Sequence, residues 1–215
     1  MTDIAASDHA GLMDRIYRHQ RYFYDATRKY YLLGRDRLIA EMELKPGAKV
    51  LEIGCGTGRN LARIARRHPA AALHGLDISR QMLATARRAL DRRRLTAALA
   101  QADASAFDAE KLFGRRMDRV ILSYALSMIP DWRAAIRCSL AALALGGSLH
   151  VVDFGSQGGL PSWFRILLFA WLGRFEVTPR AELEAELRRQ AARIGATVEF
   201  REILRGYCVL ANIRR

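Results

Sequence analysis

The sequence predicts an α/β fold in which a mostly parallel sheet closes with an antiparallel hairpin. Short apolar strands alternate with helical stretches along most of the 215 residues, and each strand–helix–strand repeat implies a crossover between parallel strands. The last two predicted strands, 196–203 and 206–213, are separated by a short turn at Arg205-Gly206. A parallel crossover needs about a dozen residues or more, so these two strands must pair antiparallel.

Seven strands are predicted, so the expected architecture is a Rossmann-like sheet preceded by N-terminal helices. Cap residues mark several helices: Ser79 is a predicted N-cap, and Pro179 fits the first position of the last helix. The length suits one domain with a full core, expected at residues 45–215 after a helical segment over residues 1–44. The predicted strands are residues 49–54, 72–77, 95–101, 118–123, 148–153, 196–203 and 206–213.

The composition is that of a globular protein with a strong positive charge. Hydrophobic residues make up 51% and charged residues 27% of the chain, and the formal net charge is +13. Such a charge favours an anionic partner, which is nucleic acid, an acidic membrane surface or an acidic substrate. A solvated basic surface in an arginine-rich protein is the alternative explanation, because only four lysines accompany the arginines.

The cysteines and the start of the chain predict a cytoplasmic protein without a metal site. Cys55, Cys138 and Cys208 form no C-x-x-C pair and have no histidine cluster nearby, so neither zinc nor a disulfide framework is expected. The first residues lack the basic and apolar regions of a secretory signal. No stretch reaches the roughly 18 apolar residues of a membrane span.

The most informative motif is a glycine-rich turn between the first strand and the next helix. It reads Glu52-Ile53-Gly54-Cys55-Gly56-Thr57-Gly58, and glycine lets the backbone turn sharply and approach a ligand closely. The G-x-G-x-G spacing differs from the G-x-G-x-x-G of dinucleotide-binding turns, which cradle a pyrophosphate. Because Glu52 would repel a phosphate, we expect a cationic ligand instead.

Asp77 supplies the second half of the predicted site. It lies 19 residues after Gly58, at the end of the next strand. A carboxylate at that position accepts hydrogen bonds from both ribose hydroxyls of an adenosine. A single aspartate in this place can also be a simple turn or cap residue, but its distance from the glycine turn favours the binding role.

Together, V-L-E-I-G-C-G-T-G and L-D-I-S resemble motifs I and II of the class I S-adenosylmethionine-dependent methyltransferases. The order of elements agrees with that family over about residues 45–213. The resemblance implies S-adenosylmethionine as cofactor and S-adenosylhomocysteine as product. The methionine part would lie on the glycine turn, the ribose on the aspartate of motif II, and the adenine between the second and third strands. The implied cofactor-binding residues are Glu52, Gly54, Gly56, Gly58, Asp77, Ile78, Met82, Asp103, Ala104 and Ser123.

The N-terminal segment carries a second resemblance. Residues 17–35 contain the pattern Y-R-x-Q-R-x-x-Y-D-x-T-R-x-x-x-L-x-G-R, which resembles the N-methyltransferase of bacterial betaine-lipid synthesis. That family implies three methylations of diacylglyceryl-homoserine to diacylglyceryl-N,N,N-trimethylhomoserine, with the N-terminal helices acting as a lid that contacts substrate and membrane. Ordinary core tyrosines in a lid helix are the simpler explanation of the same residues.

Two further features favour a lipid substrate and an anionic membrane surface. The stretch 157–176 contains the most apolar run of the chain and is an expected insertion after the fifth strand. Its aromatic and arginine residues suit a bilayer interface, although a buried helix or an oligomer contact fits the pattern too. Residues 59–94 hold ten arginines against Asp77 and Asp91, and this charge can dock on anionic lipid.

We therefore expect peripheral association with the inner membrane face, the enzyme that makes diacylglyceryl-homoserine as a partner, and no nucleic acid. The expected chemistry is alignment of a neutral amine with the activated methyl group. A buried aromatic pocket favours the neutral amine, so no strong general base is required. The predicted catalytic residues are Tyr17, Tyr24 and Tyr124, and the predicted substrate-binding residues are Arg21, Arg35, His150 and Tyr207.

Other functions remain open from the sequence. A phosphatidylethanolamine N-methyltransferase would share the cofactor, the fold and the membrane surface and differ only in the headgroup. An RNA or protein methyltransferase would use the basic surface. The Asn-Pro-Pro-aromatic sequence of methyltransferases that act on nucleic-acid amino groups is absent, however. A non-catalytic membrane-binding module is disfavoured by the intact glycine turn and by Asp77.

Overall fold

The computed structural model describes residues 32–175 and 177–215, and these contain one seven-stranded sheet. Its strands are β1 (Lys49–Ile53), β2 (Ala72–Asp77), β3 (Ala98–Gln101), β4 (Met117–Ser123), β5 (Leu143–Phe154), β6 (Thr197–Ile203) and β7 (Cys208–Arg214). They lie in the order β3-β2-β1-β4-β5-β7-β6. Strands β1 to β5 pair parallel, whereas β7 pairs antiparallel with both β5 and β6. The predicted fold class is confirmed.

Helices pack on both faces of this sheet. They are α1 (Arg35–Glu41), α2 (Arg59–Arg67), α3 (Arg80–Asp91), α4 (Ala109–Phe113), α5 (Trp132–Ala141), α6 (Ser162–Gly173) and α7 (Leu183–Ala192). Apolar side chains of α1, α2, α3 and α6 share one hydrophobic cluster, and those of α4, α5 and α7 share another. The sheet therefore lies between two helical layers.

The central strands are apolar because both of their faces are covered. In β4, Ile121 packs into the cluster with α1, α2, α3 and α6, while Val120 and Leu122 pack into the opposite one. Successive side chains of the strand therefore pack against opposite helical layers. Because both layers are apolar, the strand needs a nearly continuous run of apolar residues.

Several predicted boundaries differ from the structure. The last helix begins at Leu183 rather than after Thr178. The Thr178 amide donates to the Ser127 carbonyl oxygen, in the loop after β4, at 2.9 Å. The fifth strand begins at Leu143 instead of residue 148. The short helix α4 was not predicted, since five residues are too few for a periodic pattern.

Particular residues define three of the helix starts. Gly34 has a φ of 80° and directly precedes α1. The Ser79 side chain accepts from the Met82 amide at 3.2 Å, which is the hydrogen bond of an N-cap. Asp131 caps α5 in the same way, by accepting from the Ala134 amide at 3.0 Å.

The sheet topology determines where a ligand can bind. Strand β1 lies between β2 and β4, so the chain order reverses beside it. In open α/β sheets, ligands bind at the carboxyl ends of the strands at such a switch point. The described helices include none that is both long and apolar enough to cross a membrane.

Candidate active site

The glycine turn lies between β1 and α2, at the carboxyl edge of the sheet. Gly54, Gly56 and Gly58 have φ angles of 68°, 53° and 74°, all in the left-handed region that glycine adopts without strain. A Cβ atom at Gly54 would lie 3.1 Å from the Cβ of Ala125. The turn therefore needs glycine for its own conformation and for its close approach to the loop after β4.

Asp77 holds this turn from the end of β2. Its Oδ2 accepts a 2.8 Å hydrogen bond from the Gly56 amide, and its Oδ1 accepts a 2.9 Å bond from the Ser79 amide. One carboxylate thus joins the glycine turn to the start of α3. Its position at the tip of β2, beside the turn, is compatible with the predicted ribose role.

Asn60 is a site residue that the sequence analysis missed. Its Nδ2 donates to Glu52 Oε1 at 2.7 Å and to Ser123 Oγ at 3.2 Å. It therefore links two predicted cofactor-binding residues on adjacent strands. The sequence does contain a sign of this role. Asn60 is a polar residue in the first turn of α2, where the other buried side chains of the helix are apolar.

A cavity of about 300 Å³ opens at the glycine turn and carries charges of both signs. Glu52 lines it, and Arg35 and Arg59 line it as well. Arg35 is buried, and its Nε donates to the Leu32 carbonyl oxygen at 2.9 Å. Arg59 pairs with Asp36 at 2.9 Å. One carboxylate and two guanidinium groups suit a zwitterionic ligand, since each charged end of the ligand meets an opposite charge.

The predicted adenine side is apolar. Met82 is buried, and Ile78, Met128 and Phe175 pack against it. Ile78 and Met82 were predicted together and are in contact. Met128 belongs to the loop after β4 and Phe175 follows α6, so neither residue carries a signal in the sequence motifs.

Asp103 and Ala104 lie in the turn after β3, and the last residue of β3 is paired with Asp77. The Asp103 carboxylate accepts from the amide and hydroxyl of Ser105 at 2.8 and 2.7 Å. Ala104 is buried in the core. Both predicted residues thus lie at the same edge of the sheet as Asp77.

Tyr124 is buried beneath the site rather than exposed to a substrate. Its hydroxyl donates to the Leu33 carbonyl oxygen at 2.6 Å, and its ring meets that of Phe154 edge-on at 4.7 Å. Burial raises the pKa of the Tyr124 hydroxyl well above its usual value, and Cys208 adds to this rise. The predicted catalytic role does not fit this geometry, because the hydroxyl contacts backbone in the core; a positioning role does.

His150 lies apart from the glycine turn, contrary to its predicted substrate role. It lines a separate cavity of about 110 Å³, between α1 and the strands β5 to β7, and its Nε2 is 2.8 Å from Ser148 Oγ. Burial lowers the pKa of His150 to about 4, and the charges of Arg119 and Arg214 act in the same direction. The discrepancy has a simple cause, since His150 is four residues before the carboxyl end of β5.

Tyr207 is also a core residue. It precedes β7, and its carbonyl oxygen accepts from the Gly155 amide at 3.0 Å and from Gln157 Nε2 at 2.7 Å. Burial raises the pKa of its hydroxyl to about 12. This position closes the end of the hairpin and does not line the cavity at the glycine turn.

Three predicted residues lie outside the described part of the chain: Tyr17, Arg21 and Tyr24. Their roles stay predictions. Arg35, predicted with them, lines the same cavity as Glu52 and the glycine turn. Within residues 32–175 and 177–215, no group of His, Cys, Asp and Glu side chains is arranged to hold a metal ion.

The sequence that forms this cavity matches a known family. Residues 50–147 match a family model described as a methyltransferase domain, and this range includes the glycine turn, Asp77 and Ser123. The chain contains a class I S-adenosylmethionine-dependent methyltransferase domain.

The curated relatives of this domain are named as different methyltransferases. Trans-aconitate 2-methyltransferase of Variovorax paradoxus is 32% identical over 133 residues, which are 62% of this chain and 47% of that protein. The ubiquinone/menaquinone biosynthesis C-methyltransferase UbiE of Xanthomonas campestris is 28% identical over 170 residues, 76% of this chain and 66% of that protein. The chain thus spans about half the length of the first relative and about two thirds of the second.

A solved structure shows the same fold. An S-adenosylmethionine-dependent methyltransferase from Mesorhizobium loti aligns with a TM-score of 0.64 over 84% of this chain and 96% of that chain, at 22% identity. This chain and that methyltransferase therefore share the same α/β fold.

The cavity fits S-adenosylmethionine, the cofactor of this methyltransferase domain. The three left-handed glycines leave the backbone open to a ligand at the end of β1. Glu52 would hold the ammonium group of the methionine part, Arg35 and Arg59 would hold its carboxylate, and Asp77, which is bonded to the glycine turn beside the cavity, would hold the ribose hydroxyls. Ser123 lines the cavity beside Asn60, on the side that leads to the loop after β4.

Proposed function

We propose that this methyltransferase methylates the amine of a lipid headgroup at an anionic membrane surface. The proposed reaction is the threefold N-methylation of diacylglyceryl-homoserine to diacylglyceryl-N,N,N-trimethylhomoserine. The exposed apolar face of α6 is the observation that supports binding to a membrane. The choice of headgroup is supported by the resemblance of residues 17–35 to the betaine-lipid N-methyltransferases.

Helix α6 exposes the kind of surface that enters a bilayer interface. Trp163, Ile166 and Leu167 are 65%, 66% and 62% exposed, and their spacing puts them on one side of the helix. Leu168 and Leu172 are buried against the core. Since both sides of α6 are apolar, the inner side packs on the protein and the outer side is available to lipid.

Exposed arginines lie on this helix and on two other helices that share its hydrophobic cluster. Arg165 and Arg174 are exposed on α6 and just after it. Helices α2 and α3, which share a hydrophobic cluster with α6, carry most of the ten arginines predicted to dock on lipid, and all of these ten except Arg59 are exposed. Each cation near an anionic leaflet contributes about 1 kcal/mol to binding, so apolar insertion and electrostatic attraction would act together.

The chemistry requires little beyond alignment. S-adenosylmethionine supplies a methyl group on a sulfonium, which is already activated for transfer. Glu52, Arg35 and Asp77 would orient that cofactor, and the loop after β4 would present the amine on the Ser123 side. An apolar environment disfavours the ammonium form of the amine, and alignment itself contributes several kcal/mol to the rate. No general base is part of the proposal.

The direct test offers the purified protein labelled S-adenosylmethionine and two kinds of vesicle. One contains diacylglyceryl-homoserine and the other phosphatidylethanolamine, each with the same fraction of anionic lipid. Label in the homoserine lipid alone supports the proposal. Label in phosphatidylethanolamine alone contradicts the headgroup and supports the first alternative.

A variant of α6 tests membrane binding separately from cofactor binding. Ile166→Glu with Leu167→Glu places two charges on the exposed face of α6, so vesicle binding and lipid methylation should fall at least tenfold while cofactor affinity is unchanged. The control is Leu145→Glu, a residue 88% exposed near the start of β5, at the opposite end of the sheet. Equal activity of both variants would contradict docking through α6.

The basic helices also favour one alternative, an RNA or protein methyltransferase. In that case label appears in RNA or protein substrates and in neither lipid, and nucleic acid co-purifies with the protein. Co-purification of phospholipid supports the lipid proposal. Association with the enzyme that makes diacylglyceryl-homoserine is tested by the same purification from cells that contain both proteins.

A further inference from the structure

The loop after β4 connects the cofactor cavity to α5. We name residues 124–129 the acceptor loop, because it follows Ser123, which lines the cavity. Ala125 approaches the glycine turn, as judged from the 3.1 Å contact of a Cβ at Gly54, and Met128 packs on the predicted adenine side. The path of this backbone therefore determines what faces the transferred methyl group.

Arg180 holds the acceptor loop by two of its carbonyl groups. Its Nε donates to the Leu126 oxygen at 3.0 Å, and its Nη2 donates to the Ile129 oxygen at 2.9 Å. The planar guanidinium presents these donors in a fixed fork, so the two carbonyl groups, three residues apart, are kept at a fixed separation. The guanidinium also lies 5.8 Å from the ring of Trp132, at the start of α5.

Two backbone contacts hold the middle of the loop. The Ser127 carbonyl oxygen accepts from the Thr178 amide at 2.9 Å. The Ser127 amide donates to Asp153 Oδ2 at 3.1 Å, and Asp153 is buried at the end of β5. The charge of Arg180 acts on that carboxylate as well. The loop is thus held at Leu126, Ser127 and Ile129 by β5 and by the segment before α7.

We propose that Arg180 is a positioning residue of methyl transfer, which fixes the acceptor loop relative to the cofactor. It touches neither the cavity at the glycine turn nor the predicted ribose site, so its loss should leave cofactor binding intact. Transfer to an amine depends on in-line alignment, and a displacement of about 1 Å can cost about 100-fold in rate. The expected change in kcat rests on the proposed function, because kcat is measured with the proposed lipid substrate.

The experiment compares Arg180→Met with Arg133→Met. Arg133 lies 4.4 Å over the same Trp132 ring, but its guanidinium pairs with Glu182 and Glu186 instead of the loop. We expect Arg180→Met to lower kcat about 10- to 100-fold with the Kd for S-adenosylhomocysteine within twofold of wild type. Arg133→Met should keep both values. Arg180→Lys, which keeps one charged donor, should recover part of kcat.

Hydrogen exchange provides a readout that does not depend on the substrate. Amides of residues 124–129 should exchange at least tenfold faster in Arg180→Met than in Arg133→Met, whereas those of β1 and β2 should not change. If wild type methylates neither lipid, the proposed function fails and this comparison still tests the inference. Unchanged loop exchange, or a loss of cofactor affinity as large as the loss of kcat, would overturn it.

Should Arg180→Met fail to fold, Asp153→Asn tests the same restraint from β5. It keeps the size of the side chain and one acceptor oxygen, and it removes the carboxylate that faces Arg180 and the Ser127 amide. Faster exchange confined to residues 124–129, together with lower kcat and unchanged cofactor affinity, supports the inference. Faster exchange spread over β4 and β5 as well would contradict it.

Discussion

The Tyr124 hydroxyl donates a 2.6 Å hydrogen bond to the carbonyl oxygen of Leu33. Tyr124 begins the acceptor loop with a φ of 54°, and Leu33 immediately precedes Gly34 and α1. The bond therefore joins the loop that faces the transferred methyl to the segment that leads into the cavity residue Arg35. This partly buried hydrogen bond joins two regions that are 91 residues apart.

Tyr124→Phe should weaken the protein without weakening cofactor binding. The substitution keeps the ring and its edge-on contact with Phe154, but it leaves the Leu33 carbonyl group without this donor. A hydrogen bond of this kind is worth about 1 kcal/mol, so the free energy of unfolding should fall by about that amount. Urea unfolding measures this change, and calorimetry with S-adenosylhomocysteine should give an affinity close to wild type. A large loss of affinity would show that Tyr124 also supports cofactor binding.

Asp77→Asn should reduce cofactor affinity by about 10- to 100-fold, because a hydrogen bond to a charged group is worth about 1.5–3 kcal/mol and each 1.4 kcal/mol is about tenfold. The amide keeps one acceptor for the backbone of the glycine turn. Asp77→Ala removes both acceptors of the Gly56 and Ser79 amides and should abolish detectable binding. Calorimetry measures both variants. Wild-type affinity in Asp77→Ala would exclude the ribose role.

The sequence predicted where the strands lie along the chain and which of them run parallel, because these properties follow from local patterns. Apolar runs of strand length, glycine at the turn and the Ser79 cap act over a few residues. The last two strands had one possible arrangement, since a short turn cannot support a parallel crossover. The cofactor side of the site was predictable for the same reason: Glu52 to Gly58 form one continuous motif.

The acceptor side could not be predicted, because its contacts join distant parts of the chain. Arg180 reaches the carbonyl oxygens of Leu126 and Ile129 from more than fifty residues away. The residues around Arg180 form no helix, although the Thr-Pro pattern predicted one there. His150 is a polar residue in an apolar strand, a pattern that fits a site and a buried core position equally well.

Arg35→Met should lower affinity for S-adenosylmethionine and S-adenosylhomocysteine alike. Both ligands carry the carboxylate that we assign to Arg35, and one charge-assisted contact is worth about 1.5–3 kcal/mol, or about 10- to 100-fold. The matched control is Arg37→Met on the same helix, where an exposed Arg37 pairs with Glu41 at 2.7 Å. Calorimetry with each ligand measures the two affinities in both variants. If Arg35→Met raises KM for the lipid and leaves both cofactor affinities intact, Arg35 binds the substrate carboxylate instead.

His150 should make the protein less stable as the pH falls. Burial and the charges of Arg119 and Arg214 lower the folded-state pKa of His150 from 6.5 to about 4, against the opposing charge of Glu41. Between these values the unfolded chain binds a proton that the folded protein does not bind, so stability is complete above 6.5 and falls as the pH decreases to about 4. The two values imply a loss of up to about 3 kcal/mol.

Asp153 has the opposite effect in nearly the same pH range, so variants must be compared with wild type at each pH. Burial raises the folded-state pKa of Asp153 from 3.8 to about 6, and stability from this group falls as the pH rises between these values. His150→Gln removes the first dependence only, and its unfolding free energy relative to wild type should increase steadily from about pH 7 to about pH 4.5. Asp153→Asn should give a difference of the opposite slope. A flat difference for His150→Gln would mean that His150 is protonated in the folded protein as readily as in the unfolded chain, and that Ser148 and β5 do not hold it neutral.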